Sequence, residues 1–300
     1  MTRVFEVMKA KEYGQRFVGD WHAHRVEPKL DGIRVIVLID GRSMDVKFYS
    51  RNGRELTMFS HLDKSMRRIW KWLNRQNSEY RHGAMLDGEM CGSTFNEIGG
   101  AIHRKNHTEK TAEYHAFHAM PIRLFAAGKD TEDQIIRRIQ LTAAINAVKP
   151  KKIHLVASKP VKGHKHCQRM FERFMANGLE GAMLKNMLAP WQAKRCRTWM
   201  KLKGQETEDL HIIGWKPGNG KFKGTLGAII CGREVRKGLS VTEVKVSVSG
   251  MDDDVRDQLF KMRKKLEYGK LVAEIEFQHV TSNGSLRHPR FIRLRRDKEK

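Results

Sequence analysis

The chain has 300 residues, enough for two domains or one large one with a real core. Its apolar content of 40% is normal for a globular protein and argues against wholesale disorder. Basic residues outnumber acidic ones by 58 to 34, a net charge of +24 that should attract polyanions, most commonly nucleic acid. The alternatives at this point are an anionic membrane surface or simple solubility.

Targeting and redox signals are weak. No apolar run approaches the roughly 20 residues that a transmembrane helix needs, and the first 17 residues lack the apolar core of a secretory signal. The cysteines are scattered without a C-x-x-C pair, which disfavours a zinc module or a disulfide framework (Cys91, Cys167, Cys196 and Cys231). We therefore expect a soluble, cytoplasmic protein that does not bind a membrane.

The first two hundred residues mix predicted strands and helices. The β-branched run from Arg34 to Asp40 ends in an Asp-Gly turn and predicts a strand. Apolar residues at helical spacing from Leu62 to Leu73 predict a basic amphipathic helix. Further short strands are expected at 84–90, 122–126, 153–158 and 181–186. The His-, Lys- and Gly-rich segment 93–119 is expected to be a long loop.

Two more helices are expected in this part of the chain. Thr131 and Gln134 have the spacing of a capping box, which predicts a helix that runs to about Val148. A second helix should cover His164 to Asn177 and end at Gly178.

The pattern changes after Lys203. Residues 204–208 are polar, and most of the chain beyond them alternates apolar and polar residues, as strands do. One helix is expected from Asp252 to about Leu266, with acids in its first turn and lysines in its last. About five short strands and one helix suggest a small barrel of the OB type. We expect one domain at 1–204 and a second at 205–300.

The segment from Glu27 to Arg34 reads EPKLDGIR. A lysine is a nucleophile only when neutral, and with the ordinary lysine pKa near 10.4 roughly one in 2,500 is neutral at pH 7. Nearby cations and partial desolvation favour the neutral amine. Lys29 precedes a tight Asp-Gly turn, and Arg34 can present a planar fork to phosphate or ribose. For K-x-D-G alone, an ordinary turn with a surface lysine is a serious alternative.

The segment Lys29 to Arg34 resembles the K-x-D-G-x-R signature of covalent nucleotidyltransferases, the superfamily of ATP-dependent DNA ligases, RNA ligases and mRNA capping enzymes. Segments similar to the superfamily's other motifs occur in the same order along the chain: Ser50–Gly53, Asp87–Glu89, Ile122–Phe125, Glu180–Lys185, Trp199–Lys203 and Ser285–Lys298.

The resemblance implies an α+β fold, with a nucleotidyltransferase (adenylation) domain of mainly antiparallel sheets followed by a C-terminal OB-fold β-barrel. The extended match over Ser285 to Lys298, which ends in R-x-D-K, favours a DNA ligase of the small, bacteriophage-like type. An mRNA capping enzyme or an RNA ligase is the alternative. An NAD-dependent ligase is disfavoured because the chain has no cysteine tetrad, and a non-enzymatic OB-type binder would not need the motif lysines.

The resemblance also implies the roles of the site residues. Lys29 becomes adenylated, Glu27 and Leu30 flank it in the adenine pocket, and Phe125 stacks on adenine. Glu180 binds a metal ion, and Glu89 binds the ribose or the metal. The expected contacts to phosphate or ribose come from a larger set of cations: Arg34, Arg51, Lys185, Arg195, Lys201, Lys203, Arg295 and Lys298. The implied co-substrate is ATP, and the implied metal is Mg²⁺ or Mn²⁺.

The implied reaction seals a nick between a 5′-phosphate and a 3′-hydroxyl in double-stranded DNA through a lysyl-AMP intermediate, with the protein acting as a monomer. Closure of the OB domain is expected to bring Arg295 and Lys298 to the β,γ-phosphates. Two basic segments, 216–224 and the helix face 67–71, are expected to contact the DNA backbone. One departure from the family pattern is Ala126-Ala127, where many relatives carry an acid.

Overall fold

A computed structural model describes residues 5–13, 19–92, 109–204, 206–237, 240–266, 270–281 and 283–298, without the side chains of 236, 237 and 298. The chain divides into two compact units, Met1–Leu202 and Lys203–Lys300, and each is described by itself.

The first unit contains strands β1 to β13 and helices α1 to α4. The strands are β1 (Lys9–Glu12), β2 (His24–Lys29), β3 (Ile33–Asp40), β4 (Val46–Ser50), β5 (Glu55–Leu56), β6 (Gly83–Cys91), β7 (Glu113–Pro121), β8 (Lys129–Asp130), β9 (Ile153–Leu155), β10 (Lys159–Pro160), β11 (Gly181–Asn186), β12 (Trp191–Gln192) and β13 (Arg195–Lys203), whose last residue falls in the second unit. The helices are α1 (Asp63–Gln76), α2 (Ile122–Ala127), α3 (Gln134–Val148) and α4 (His164–Ala176), with 3-10 turns at Trp21–Ala23, Ser60–Leu62 and Ser78–His82.

Two sheets dominate this unit. The larger has six strands in the order β5-β4-β3-β6-β7-β9, and all neighbours are antiparallel except β7 and β9. The smaller has five strands in the order β1-β13-β11-β2-β10, with β1 parallel to β13. Strands β8 and β12 form a separate pair. The expectation of mainly antiparallel sheets is confirmed.

Alternation along the strands creates four layers. On β3, Val35 and Val37 face a core shared with α1 and α3, whereas Ile36 faces the opposite core. In the smaller sheet Val26 and Met200 face α4, whereas Trp199 shares the core of Ile36. The layers are therefore α1 and α3, the six-stranded sheet, the five-stranded sheet and α4. The two sheets face each other across the core that contains Ile36 and Trp199.

The helix predictions for the first unit are confirmed except for one cap. Helix α1 buries Met66, Ile69, Trp70 and Leu73 as its spacing requires, and α4 ends where Gly178 adopts a φ of 74°. The capping box at Thr131 and Gln134 is wrong. The residue before α3 is Asp133, whose side chain makes no cap hydrogen bond. Gln134 is instead buried and accepts a hydrogen bond from Arg137.

Three predictions of local structure are wrong. Residues 122–127 form helix α2 rather than a strand, because helix-forming residues follow Pro121 and Gly128 ends the helix at a φ of 72°. The strand expected at 153–158 stops at 155. The loop expected at 93–119 lies outside the described residues up to 108. Residues 113–121, however, form β7, an interior strand in which Tyr114, Ala116 and Ala119 are buried.

Gly88 is required where β6 passes β7. A Cβ there would lie 2.6 Å from the carbonyl oxygen of His115 and 2.6 Å from Cζ of Tyr114. The Tyr114 hydroxyl crosses beneath this point to donate to the Val35 carbonyl at 3.1 Å. The ladder also shifts register between Asp87 and Gly88. The glycine between Asp87 and Glu89 thus permits a close strand contact.

The second unit contains strands β14 (Glu206–Pro217), β15 (Leu226–Lys237), β16 (Ser240–Val248), β17 (Val272–Phe277) and β18 (Arg290–Leu294), helices α5 (Asp253–Lys261) and α6 (Arg263–Leu266), and 3-10 turns at Gly220–Phe222 and Arg296–Lys298. The one helix expected from Asp252 to about Leu266 is instead two, because α5 ends at Lys261 and α6 follows after Met262. The strands form one antiparallel sheet in the order β16-β15-β14-β17-β18. A single bridge from Ser249 to Arg290 joins its two edges, so the described strands do not form a fully closed barrel.

The basic segment 216–224 of this unit folds into an ordered loop. Gly218 N donates to Thr225 O, and Phe222 N donates to Asn219 O. Beneath the loop, Arg256 is 5% exposed, its Cζ lies 3.8 Å from the Phe222 ring centroid, and it donates to the Leu226 carbonyl. The lysines of the loop are therefore presented on a fixed backbone.

Gly88→Ala is expected to lower the free energy of unfolding of the first unit by about 1–3 kcal/mol, because an added methyl group collides with the β7 backbone. Urea denaturation followed by tryptophan fluorescence measures this, since five of the six tryptophans lie in the first unit. Gly214→Ala is the control, because its Cβ would meet only ordinary contacts from 3.8 Å outward. Equal midpoints for wild type and Gly88→Ala would show that β7 adjusts without cost.

Candidate active site

The ends of β2 and β11 bring the lysine of the K-x-D-G motif to a carboxylate. The two strands are antiparallel, and Gly181 lies opposite Lys29. Glu180, the residue before β11, therefore reaches the lysine, whose Nζ donates a hydrogen bond to the Glu180 carboxylate. The side chain of Lys29 is 21% exposed and that of Glu180 only 8%. The pair is thus partly desolvated but open to a ligand from one side.

Glu89 is brought to the same place by the Asp-Gly turn. A Cβ at Gly32 would lie 2.9 Å from Cγ of Glu89 and 2.4 Å from the Met90 carbonyl oxygen, so the turn runs directly against β6. Burial raises the pKa of Glu89 to about 8, although the charges of Lys29 and Arg34 oppose that rise. Glu89 therefore holds a proton at neutral pH in this structure, and a cation beside it would favour its ionisation.

Arg34 is bound on all sides by protein groups. Its Nε and Nη2 donate to the two oxygens of Asp87 at 2.8 and 2.6 Å, and Nη1 donates to the Met8 carbonyl at 2.7 Å. Burial alone would lower the pKa of Arg34, but the Asp87 carboxylate outweighs it and the pKa is raised. The guanidinium that the sequence predicts to bind phosphate or ribose thus joins β3 and β6 to Met8, the residue before β1, in this structure.

Glu27 joins two cations behind Lys29. Its Oε2 lies 2.6 Å from Nζ of Lys185, and its Oε1 accepts from Arg138 at 3.1 Å. Burial lowers the pKa of Lys185, and Glu27 opposes this. The Lys185 ammonium also lies 4.3 Å from the ring centroid of Phe117 and 4.1 Å from that of Trp199. These contacts replace the water that a buried ammonium loses.

His118 extends this buried set of polar groups. Its ring is fully buried, with Nδ1 at 3.3 Å from the Gln134 amide nitrogen and Nε2 at 3.9 Å from Asp87. Burial and the nearby charges of Arg137 and Lys185 lower its pKa well below the usual value. The imidazole is therefore neutral in the folded protein at pH 7.

Three other predicted site cations have positions or partners of their own. Lys201 shares the inner strand face with Trp199 but pairs with Glu12 at 2.8 Å. Arg195 donates to the Ala10 carbonyl at 2.8 Å, and Arg51 is exposed in the turn after β4.

Three further predicted residues have distinct positions. The Phe125 ring packs at 5.5 Å from Phe5 and 5.7 Å from Trp191. Leu30 is half-buried directly after Lys29, and Lys203 ends β13.

The C-terminal motif residues lie in the second unit. Arg295 donates to Asp209 at 2.8 Å and to both oxygens of Asp297 at 3.0 and 2.8 Å. The hydrogen bonds to Asp297 raise the pKa of Arg295, and Asp209 adds to the effect. Lys298 ends the 3-10 turn Arg296–Lys298, and its side chain lies outside the described residues.

Sequence reasoning assigned no role to four residues that hold this site. Asp87 binds Arg34, Arg138 binds Glu27, and Trp199 and His118 line the buried polar groups. Asp87 and Trp199 stand inside the quoted motifs, so their pattern could have identified them. Arg138 lies on α3 with no motif around it. His118 lies in the segment 93–119, which was expected to be a loop.

No helix in the described ranges is long and apolar enough to cross a membrane. Across the same ranges, no group of three or more His, Cys, Asp or Glu side chains is placed to hold a metal ion. A metal at Lys29 would therefore depend on one or two carboxylates together with oxygens of a ligand or of water.

Folding stability should fall as the pH drops below about 6.5, because the unfolded chain then protonates His118 and the folded chain does not. One such group contributes at most about 1.4 kcal/mol per pH unit. Replacement His118→Gln removes this contribution, so its stability difference from wild type should shrink between pH 7.5 and 5. Urea denaturation at four pH values measures this stability difference. His22→Gln, which changes an exposed histidine, is the control. Parallel pH curves for wild type and His118→Gln would contradict the assignment.

Comparison with known proteins agrees with this architecture. The family model described as ATP dependent DNA ligase domain matches residues 8–203, and that described as DNA ligase OB-like domain matches residues 217–295. The DNA ligase of Archaeoglobus fulgidus is 28% identical over an alignment 300 residues long. That alignment covers 91% of this chain and 52% of that protein. The chain thus spans about half the length of the curated relatives it matches.

Two solved structures show the same fold. One described as Pmar-Lig_Pre is 26% identical with a TM-score of 0.79, covering 98% of this chain and 68% of its own. The ATP-dependent DNA ligase from bacteriophage T7, in complex with ATP, is 19% identical with a TM-score of 0.58, covering 97% of this chain and 99% of its own. At that identity the likeness shows the fold alone. Together with the match of the family model to residues 8–203, these findings show that the chain belongs to the ATP-dependent DNA ligase family.

Proposed function

We propose that this chain is a DNA ligase that uses ATP to seal nicks with a 5′-phosphate and a 3′-hydroxyl in double-stranded DNA, acting as a monomer. The observation that carries the proposal is the contact of Lys29 with Glu180, formed by the two motif segments inside the matched domain. The net charge of +24 supports a polyanionic substrate.

In the first step the Lys29 amine attacks the α-phosphorus of ATP. A P–N bond forms, the bond to the bridging oxygen breaks, and pyrophosphate leaves. In this structure Nζ donates to Glu180, which aims it, and a lysine in its ammonium form has no lone pair with which to attack. The amine must therefore give up a proton before attack, and Glu180 is the carboxylate in contact with it.

The carboxylates suit a hard divalent cation. Glu180 and Glu89 approach Lys29 from β11 and β6, and both offer oxygen ligands of the kind that Mg²⁺ or Mn²⁺ prefers. Glu180, with Glu89 as a second ligand, would hold the ion. When bound, such an ion supplies positive charge to neutralise phosphate oxygens. The raised pKa of Glu89 fits this role, because the carboxylate is costly to ionise until a cation arrives.

The buried ion pairs support the nucleophile from behind. Glu27 is fixed by Lys185 and Arg138, so the β2 backbone next to Lys29 is held rigidly and can present main-chain groups to adenine. Lys201 and Arg195 contact phosphate in this proposal only if their bonds to Glu12 and Ala10 are exchanged for a ligand. Phe125 would likewise have to turn a face to adenine from its packing against Phe5 and Trp191.

In the later steps AMP passes to the 5′-phosphate of the nick, which frees Lys29 and forms a 5′-5′ pyrophosphate linkage. The 3′-hydroxyl then attacks the 5′-phosphate, a phosphodiester forms, and AMP leaves. We propose that Arg51 binds a phosphate in these steps, since it is exposed without an ion pair among the described residues. Arg295, Lys298 and Lys203 are proposed to act on the ATP phosphates, for which Arg295 must exchange a carboxylate partner.

Lys29→Ala and Lys29→Arg are both expected to abolish covalent labelling by ATP that carries a radioactive α-phosphate. Lys29→Arg keeps the positive charge beside Glu180 but offers no nucleophilic amine, so it separates charge from chemistry. Radiolabelled protein resolved on a denaturing gel measures the effect, with exposed Lys165→Ala as the control that should label normally. Labelling of either Lys29 variant would sink the assignment.

A nicked DNA duplex and a nicked RNA duplex of the same sequence should distinguish the substrate. We expect sealing of the DNA nick with ATP, and no enzyme adduct with GTP or NAD⁺ in place of ATP. Both are read on denaturing gels, with the 5′-phosphorylated strand labelled for sealing and the nucleotide labelled for the adduct. Activity confined to RNA would instead favour an RNA ligase, and an adduct with GTP would favour a capping enzyme.

A further inference from the structure

Helix α1 carries a row of cations on its exposed side. Lys64, Arg68, Lys71 and Arg75 follow at intervals of four, three and four residues, and all four are exposed. These intervals place them on one helical face, opposite the buried Met66 and its neighbours. At 1.5 Å per residue the row is about 16 Å long.

The four cations have no ion pair with a carboxylate in the described part of the chain. Arg67, by contrast, lies 3.4 Å from Asp63 and donates to the Met44 carbonyl, so it is not part of the row. Four like charges repel each other on a helix, and such a row is destabilising unless an anion offsets it. Its geometry therefore favours an external polyanion.

The row continues onto the end of α3. Arg68 Nη2 donates to the Val148 carbonyl at 3.1 Å, which fixes its position and leaves its other donors free for solvent. Lys149 and Lys151, just beyond α3, are both exposed. We call these six cations the α1 ridge: Lys64, Arg68, Lys71, Arg75, Lys149 and Lys151.

The ridge lies on the far side of the six-stranded sheet from Lys29. Helix α1 packs on the sheet face that carries Val35 and Val37. Arg34 has the opposite parity on β3, and its partner Asp87 lies on the matching face of β6, beside Trp199 and the other sheet. The catalytic residues therefore open on one side of this sheet and the ridge on the other. A duplex whose nick lies at the catalytic residues therefore cannot also contact the α1 ridge through the sheet.

We infer that the α1 ridge binds the phosphate backbone of a second duplex DNA segment while the nick occupies the Lys29 site. The inference rests on the proposed function. It assigns the DNA contact expected of the helix face 67–71 to a second duplex and not to the nicked one. A straight row of Lys and Arg on a rigid helix provides phosphate contacts without base readout. A membrane fits the ridge less well, because no large exposed hydrophobic residue among those described lies on α1 to anchor it.

The test is capture of one duplex by another through the protein. An immobilised nicked 20-base-pair duplex is loaded with full-length protein, and binding of a labelled, unnicked 40-base-pair duplex is measured. A ridge variant carries Lys64→Gln, Arg68→Gln, Lys71→Gln and Arg75→Gln. A matched variant removes the same charge from exposed positions on and just before α4, through Lys162→Gln, Lys165→Gln, Arg169→Gln and Arg173→Gln.

We expect wild type to capture the second duplex and the ridge variant to lose about tenfold or more of that capture. Its salt dependence should weaken by about 0.9 in the log-log slope for each phosphate that the variant no longer neutralises. Sealing of the 20-base-pair nick should stay within about twofold, and the α4 variant should capture within about threefold of wild type.

Three results would overturn the inference. If wild type seals the nick but captures no second duplex, the ridge is an ordinary solvated surface. Equal loss of capture in the two variants would indicate a general effect of net charge. Parallel loss of nick sealing and capture in the ridge variant, with an unchanged melting temperature, would place the ridge in the nick-binding surface. Failure of the proposed function would appear separately, as wild type that seals no nick.

Discussion

The charge pairs buried between the two facing sheets are the constraint on which the first unit depends. Strand alternation turns Glu27, Lys29 and Lys185 of the smaller sheet toward Arg34, Asp87 and Glu89 of the larger one. A buried charge that loses its partner costs about 3–5 kcal/mol, so each of these groups must be satisfied locally. The paired groups also fix how the strands meet, since Arg34 joins β3 and β6 to Met8, the residue before β1.

The motif residues could be identified from the sequence more readily than the residues that contact them. Lys29 and Glu180 could be identified because each stands in a short motif whose residues chemistry requires. Strand register then explains why these two residues, 151 positions apart in the sequence, are in contact. The fold class followed from the family resemblance, and most helices followed from periodicity, as Met66, Ile69 and Leu73 show on α1. Residues 113–121 could not be recognised, because histidine and alanine in a buried central strand resemble a polar loop until the tertiary contacts are known.

Partners that belong to no motif were beyond sequence reasoning for a related reason. Arg138 reaches Glu27 across 111 residues, and nothing near it in the chain records that contact. The basic face of α1 was visible as a pattern, but its side of the sheet was not. Parity along β3 decides that side, and parity matters only once the strand is known to separate two different cores. Local patterns therefore identified elements, whereas contacts between layers assigned their roles.

Exposure separates the ion pairs that a ligand can exchange from those that it cannot. The pairs Arg34–Asp87 and Glu27–Lys185 have at least one member almost wholly buried, at 0% for Asp87 and 2% for both Glu27 and Lys185. Breaking either pair would leave an unpaired charge away from water, so these two pairs have a structural role. Lys29 and Arg295 are 21% and 20% exposed, so a phosphate can approach each cation from the solvent side. The motif cations thus fall into two classes. The buried cations hold the strands in register. The partly exposed cations pair with carboxylates at the positions that a phosphate or a metal ion occupies in the proposed reaction.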